Sequence, residues 1–508
     1  MSDQQTRRRF LTLGLGLVAG VPLLAACGAG SAPSAAQAPA AQSSSASAPA
    51  VTSQAAATTS AAASTSAAAT SQAVASTQAA SSSAPAASQA PSAGKVILRF
   101  MRFPGSGWEQ DVKFVDDFNK ANANIVVQPE DVPYADMYQK CLTLAAGDTL
   151  ADVFSGHNKW MPSLAYKGVT YDIDSLVNVH RQEIKFDDFF PSVIADARGI
   201  GTDGKLYWLP TIVHPGGNAI VLFNVDLLKR AGVEPPASSD WTIAQLDEIA
   251  RKTANPSQGL WGYQMAGPGS PLYVQQFTRS WGSDPNKGSE DAWLLSKDGK
   301  KEQLTSAPVQ EALDWYWKLV RDGFVPKSDS PPPPKGFDYF TAGKMIAISA
   351  EIGRPQSYHT VIADKFETKV VLWPKGPHGY RGSCLSYNTQ AMSAKTKHPD
   401  EAFQLLNQLT SPEIGFWAGY EGYANPFARH SVWFDPRLWA KYPIDKEGAA
   451  WFESGIDPFP QPYNLHFQEW LDAWPKATAQ YFDAKENYNA METKTQPICQ
   501  AILDMPRS

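Results

Sequence analysis

The chain has 508 residues, enough for about two to four domains of ordinary size. Hydrophobic residues make up 43% and charged residues 19%, a globular balance, and a net charge of −6 with no basic run beyond the extreme N-terminus argues against nucleic-acid binding. Four cysteines with no C-x-x-C pair exclude a disulfide scaffold and speak against zinc or thioredoxin-type chemistry.

Thr6-Arg7-Arg8-Arg9-Phe10-Leu11 leads into the apolar stretch Leu11 to Ala26, which glycines and Pro22 interrupt. It is short for a membrane span, and charged head, apolar middle and small residues form an export signal. Arg-Arg-x-Phe-Leu resembles a twin-arginine signal, which carries folded proteins across the membrane. Leu24-Ala25-Ala26-Cys27 resembles the lipobox of bacterial lipoproteins. That resemblance implies cleavage before Cys27 and attachment of the chain to a lipid bilayer through the acylated cysteine. A plain secretory signal with an incidental cysteine is the alternative. From Gly28 to Gly94 no residue is charged, and Ala, Ser, Thr, Pro and Gln dominate. Such a segment buries too little apolar surface to offset its ordering entropy and reads as a tether.

The first core-forming run is Val96 to Phe100, a buried strand by pattern. Trp108 to Asn119 has its apolar residues at helical spacing; Ile125-Val126-Val127 is a second strand. Tyr134 to Ala146 is a second helix with Met137, Cys141 and Leu144 on one face, and Ala151 to Phe154 is a third strand. This β-α-β-α-β order predicts a parallel sheet flanked by helices, with ligands at the carboxyl ends of its strands. The loops there hold Trp108, which equally suits a helix-start core residue, and Ser155-Gly156-His157-Asn158-Lys159-Trp160. Gly199-Ile200-Gly201-Thr202-Asp203-Gly204 matches G-x-G-x-x-G but follows a predicted helix and precedes a strand, so it is a turn and not a nucleotide site. The helix holding Leu313, Trp315, Tyr316, Trp317 and Leu319 reads as core, and Pro331 to Pro334 as a stiff connector.

Asp203-Gly204-Lys205-Leu206-Tyr207-Trp208-Leu209-Pro210 is followed by Val221-Leu222-Phe223-Asn224, then Ala231-Gly232, Pro235-Pro236 and Asp240-Trp241-Thr242. Ala145 to Val153, Phe340 to Ile348, His398 to Phe403 and Ala424-Asn425-Pro426 keep the same order. Together these resemble the family 1 extracellular solute-binding proteins of ABC importers, over about residues 95 to 430. Two departures are the transposed Trp241-Thr242 and Leu150 where the family usually has proline.

The resemblance implies an α/β fold: a two-lobed, type II periplasmic-binding-protein-like clamp, each lobe a mixed sheet with flanking helices, discontinuous in sequence. It implies a signal at 1–26, a tether at 27–94, lobe 1 at 95–212, lobe 2 at 213–349, a return to lobe 1 at 350–392 and completion of lobe 2 at 393–508. Crossings are expected near Thr211 to Asn218, Ser349 to Gly353 and Tyr387 to Lys397. It further implies a carbohydrate ligand in the cleft, permease subunits as partners, no enzymatic activity, no cofactor or metal, a monomer, and a place on the outer face of the cytoplasmic membrane. Sugars offer C–H faces to aromatic rings and hydroxyls to polar groups. The stacking candidates are Trp108, Trp160, Trp281 and Tyr420; the hydroxyl partners are His157, His214, Glu351 and Arg354, with Ser383 a weaker one.

Three other readings stay open. A secreted glycosidase needs two carboxylates about 5–10 Å apart, and no pair stands out; G-x-S-x-G and H-E-x-x-H are absent. The same clamp could take a peptide, metal or oxyanion, although the eight histidines are scattered. The third is a tethered adhesin or sensor partner.

Overall fold

The computed structural model describes residues 94–508, apart from 104–108, 200, 216–217, 285–288, 354, 383–384, 422–424, 454–463 and 507–508. Trp108, Arg354 and Ser383 therefore lie outside the described residues, as do Cys27, the signal and the tether. Nine strands are described: β1 Val96–Arg102, β2 Ile125–Asp131, β3 Val153–His157, β4 Trp208–Pro215, β5 Ile220–Asn224, β6 Trp261–Gln264, β7 Met345–Ala350, β8 Thr368–Leu372 and β9 Leu385–Met392.

They form two mixed sheets, β2-β1-β3-β9-β4 and β6-β7-β5-β8. β1 runs parallel to β2 and β3, and β9 is antiparallel to both β3 and β4. In the second sheet β6 is parallel to β7, while β5 is antiparallel to β7 and β8. The sequence expectation of a β-α-β-α-β start holds, with helices Glu109–Ala121 and Met137–Ala146 as the crossovers. The G-x-G-x-x-G run lies between helix Pro191–Ala197 and β4, as a turn must.

β3, β5 and β7 are buried along their whole length, so they need apolar or internally paired residues on both faces. The first core gathers Leu98, Phe100, Phe154, Leu209 and Tyr387, and continues onto one face of the second sheet through Ile220, Leu222, Met345 and Ile348. The second core is aromatic: Tyr263, Phe277, Trp281, Trp315, Tyr316 and Trp373 touch one another with ring centroids 4.9 to 6.3 Å apart. Helix Ala307–Arg321 supplies Leu313, Tyr316 and Leu319 to it, and helix Phe467–Phe482 adds Trp470 and Trp474.

β4 in the first sheet ends at Pro215, and β5 in the second begins at Ile220. The next passage differs from expectation. β8 hydrogen-bonds to β5, with Ile220 opposite Leu372, so the chain stays with the second sheet through Leu372 and regains the first only at β9. Helix Pro399–Leu409 then buries Phe403, Leu405 and Leu406 in the first core instead of leaving it near residue 393. The physical reason is ladder register: an apolar run such as Thr368–Leu372 suits either sheet, and only its partner decides.

Candidate functional site

Two sheet edges flank the connections from β4 to β5 and from β8 to β9. On the first sheet, the ends of β1, β3 and β4 and the start of β9 share one edge, because His157 pairs with Asn388 and His214 with Ser386. On the second sheet, the start of β5 lies beside the ends of β7 and β8. Loops at such edges are where this sheet architecture leaves room for a ligand.

The first edge is built on β3. Gly156 packs closely there: a Cβ would sit 2.5 Å from Met161 Sδ and 2.7 Å from Thr389 Oγ1, so those side chains would have to move. Asn158 is fully buried and donates through Nδ2 to Leu385 O at 3.1 Å, fastening the loop to β9. His157 Nδ1 accepts from Lys159 N at 3.2 Å, and Nε2 lies 3.2 Å from Ser386 Oγ. Tyr134, half-buried on the segment after β2, sets its ring 6.1 Å from His157 and 4.9 Å from Trp160, with Lys159 Nζ 4.9 Å from its centroid.

The second edge is built on β7 and β5. Ser349 hydrogen-bonds Asn218 and accepts from Ala266 N at 2.9 Å and from Tyr263 hydroxyl at 3.1 Å. Asn218 N donates to Gln276 Oε1, and its side-chain Nδ2 to Tyr273 O at 2.7 Å. Above this floor, Tyr273 hydroxyl donates to Glu351 Oε1 at 3.0 Å. A short segment backs the passage: Val213 N donates to Pro426 O at 3.1 Å and Ala428 N to Thr211 O at 2.7 Å. Gly353, just past β7, approaches it so closely that a Cβ would lie 2.6 Å from Asn425 Oδ1.

His157 ends β3 on the first edge, and Glu351 follows β7 on the second. His214 is in β4 at that edge, opposite Ser386 in the ladder. Trp160 is 3% exposed, enclosed by Tyr134, Tyr138 and His157, and offers no open face for stacking in this arrangement. Trp281 is packed between Phe277 and Trp315 in the second core, not on a cleft wall. Tyr420 is half-buried on helix Pro412–Tyr420, stacked on Phe416 at 5.2 Å, with Lys441 Nζ 4.1 Å from its ring. Tyr134, Tyr273 and Ser386 were missed by sequence reasoning. The first could have been found from its place after a strand's carboxyl end; the others carry no local signal.

A cavity of about 380 Å³ lies elsewhere, against Leu142, Leu150, Lys167 and Ser393. Ser393 follows β9 at the opposite end of the first sheet, so this cavity is separate from the candidate site. Among the described residues no cluster of three or more His, Cys, Asp or Glu is placed to hold a metal, and no helix is long and apolar enough to cross a membrane.

Two mixed sheets with flanking helices, linked where β4 leads to β5 and β8 to β9, make a two-lobed α/β fold. Residues 113–444, more than half of the chain, match the bacterial extracellular solute-binding protein family, and the chain belongs to that family. The match bears out the resemblance read from the motifs. A binding protein of Brucella abortus (strain 2308) is 26% identical over 296 residues, 58% of this chain and 66% of that protein, so just under two thirds of its length is spanned. Similar solved structures include an ABC substrate-binding protein of Listeria monocytogenes in complex with cycloalternan, at TM-score 0.62 and 19% identity over 81% of this chain and 98% of that one. Maltose-bound MalE3 of T. maritima gives TM-score 0.63 and 19% identity over 80% and 99%. An ABC transporter solute-binding protein of Agrobacterium radiobacter K84 in complex with ribitol gives 0.63 and 19% over 80% and 97%. At these identities the likeness speaks for the fold.

Proposed function

We propose that this chain is the solute-capturing component of an ABC importer, holding a sugar or oligosaccharide between its two lobes and handing it to permease subunits. The observation that supports this best is the pair of facing edges, each with a tyrosine beside an oxygen- or nitrogen-bearing side chain: Tyr134 with His157 and Ser386, Tyr273 with Glu351. Rings for C–H faces and fixed donors and acceptors for hydroxyls are what a sugar requires. The solved relatives bound to cycloalternan, maltose and ribitol support the same ligand class. His214, Arg354, Tyr420 and Trp108 join the ligand set in this reading, while Trp160 and Trp281 act through packing.

The mechanism is closure. A solute touching both lobes binds the closed arrangement more tightly and shifts the population toward it by that difference. The chain carries no G-x-x-x-x-G-K-S/T run, so in this reading ATP is hydrolysed by a separate subunit, and the protein is a binder and not an enzyme. Lobe 1 takes β1 to β4, β9 and helix Pro399–Leu409; lobe 2 takes β5 to β8 and the C-terminal helices from Phe467. The monomeric protein is exported by a twin-arginine signal and held at the outer face of the membrane by acylated Cys27.

A melting screen of the chain from Lys95 onward against mono- and oligosaccharides, peptides and oxyanions tests the ligand class. A saturating ligand at 100 times its Kd stabilises by about 2.7 kcal/mol. A sugar that raises the midpoint supports the reading; a peptide or anion that does so where no sugar does replaces it.

A further inference from the structure

Helix Phe467–Phe482 packs in the second core through Phe467, Trp470, Leu471 and Trp474, whereas Trp160 packs in the first. A direct side-chain bond joins them: Trp160 Nε1–H donates to Gln468 Oε1 at 2.8 Å, 308 residues along the chain. Both partners are held from behind. The indole is 3% exposed, its ring stacked at 29° on Tyr138 with centroids 6.5 Å apart and only 4.9 Å from Tyr134. An indole N–H can only donate, and at this burial it needs an acceptor. On the other side, Gln468 Nε2 donates to Asp472 Oδ1 at 2.8 Å, one helical turn further on. A carboxylate only accepts, so the amide nitrogen faces Asp472 and the amide oxygen faces Trp160.

We propose that Gln468 is a positioning residue: aimed by Asp472, it clasps Trp160 and so holds the two lobes in the arrangement described here before any solute arrives. The inference rests on the two-lobed clamp reading and adds to it a device for setting the lobe equilibrium. Burial raises the Tyr138 phenol, its bond to Ser163 offsets part of that, and Glu469, next to Gln468 on the helix, adds to the rise. The solute gains from a clasp because apparent affinity scales with the fraction of protein already competent to bind. A hydrogen bond of ordinary net worth changes that fraction by roughly 2- to 10-fold.

The test places spin labels at Lys140→Cys on the first lobe and Lys476→Cys on the second, in the full chain without added solute, and reads the distance distribution by pulsed electron resonance. Both sites are exposed. Gln468→Leu removes the acceptor, and Trp160→Phe removes the donor but keeps an aromatic ring. Each is expected to cut the short-distance population about 2- to 10-fold while the protein melts in a single transition. If Gln468→Leu fails to fold, Trp160→Phe decides. Unchanged distributions in the folded variants overturn the proposal, as does a parent chain without the short distance. No sugar enters the measurement, so failure of the ligand-class reading shows separately, in the melting screen.

Discussion

Ser386 Oγ lies 3.2 Å from His157 Nε2, a side-chain bond between residues 229 apart that the β3–β9 ladder makes local. The opposite ring nitrogen fixes its direction. Lys159 N–H can only donate, so Nδ1 is the acceptor and Nε2 bears the hydrogen. Nε2–H then donates to Ser386 Oγ, which leaves the serine hydroxyl hydrogen for a solute oxygen. Ser386→Ala is therefore expected to weaken solute binding about 5- to 10-fold, close to the worth of one hydrogen bond, and to cost about 1 kcal/mol of stability because it takes an acceptor from His157 Nε2–H. Titration calorimetry with the solute found by screening checks this. Equal affinity for the variant would remove Ser386 from the site.

Arg429 is fully buried and spends its guanidinium on backbone carbonyls: Thr410 O at 2.8 and 3.1 Å, Ile184 O at 2.8 Å and Lys185 O at 2.7 Å. Its carbon centre stands 3.6 Å from the Phe189 ring centroid, and burial pulls its pKa down to about 10. It thereby pins the segment that backs the passage between lobes, because Ala428 N bonds Thr211 O one residue away. Arg429→Met would strand three carbonyls and should destabilise the fold by about 3 kcal/mol; Arg429→Lys cannot reproduce the fork and should recover less than half. Urea unfolding monitored by tryptophan fluorescence reads both values, and a loss under about 1 kcal/mol for the methionine variant would contradict this role.

Much of the first lobe could be read from the chain alone because local periodicity suffices for it. Leu98 and Phe100 alternate into the core, and Met137 and Cys141 share a helix face, so β1 and helix Met137–Ala146 announce themselves. β8 was not legible, since its allegiance depends on β5, whose Ile220 to Asn224 pair with Leu372 to Thr368 and leave no trace in Thr368–Leu372 itself. His157 and Glu351 could be picked because strand ends are where such sheets bind ligands. Trp281 was chosen on a family resemblance, which carries over a ring but not the face it turns to, and here it packs in the second core; Gln468 carries no signal at all outside the fold.

Cys27 lies in the segment Leu24-Ala25-Ala26-Cys27, and the anchoring proposal depends on its thiol. Cys27→Ser removes the acceptor for the lipid and leaves the sequence of residues 94–508 unaltered. Two or more acyl chains hold firmly, since each buried CH₂ contributes roughly 0.8 kcal/mol. The variant should move from the membrane pellet to the soluble fraction on cell fractionation, with solute affinity unchanged. A variant that still pellets with washed membranes would refute the lipid anchor, and one that loses binding would place Cys27 in the fold.

Two buried carboxyls give the stability a definite pH dependence. Glu302 accepts from Trp470 Nε1 at 2.6 Å through Oε2, its Oε1 has no partner, and burial pushes its pKa up to about 8. Asp445 is likewise buried with Oδ1 unpartnered, and burial raises it to about 8. Ordinary values in the unfolded chain are 4.5 and 3.8. Between those values and about 8 the folded protein keeps a proton that the unfolded chain has released, so the unfolded state binds fewer protons and stability falls as pH rises. The limiting slope is about 1.4 kcal/mol per pH unit for each group, and it vanishes once pH exceeds the folded values. The carboxylates lowered by ion pairing, such as Asp174 beside Arg198, act in the opposite sense but below pH 3.8, outside this window. Glu302→Gln keeps an acceptor for Trp470 and carries no charge. It should leave stability at pH 4 nearly unchanged, raise it at pH 8, and flatten the profile between them, as followed by urea unfolding at a series of pH values. A profile for Glu302→Gln that runs parallel to the parent's would show that the Glu302 carboxyl titrates near its ordinary range.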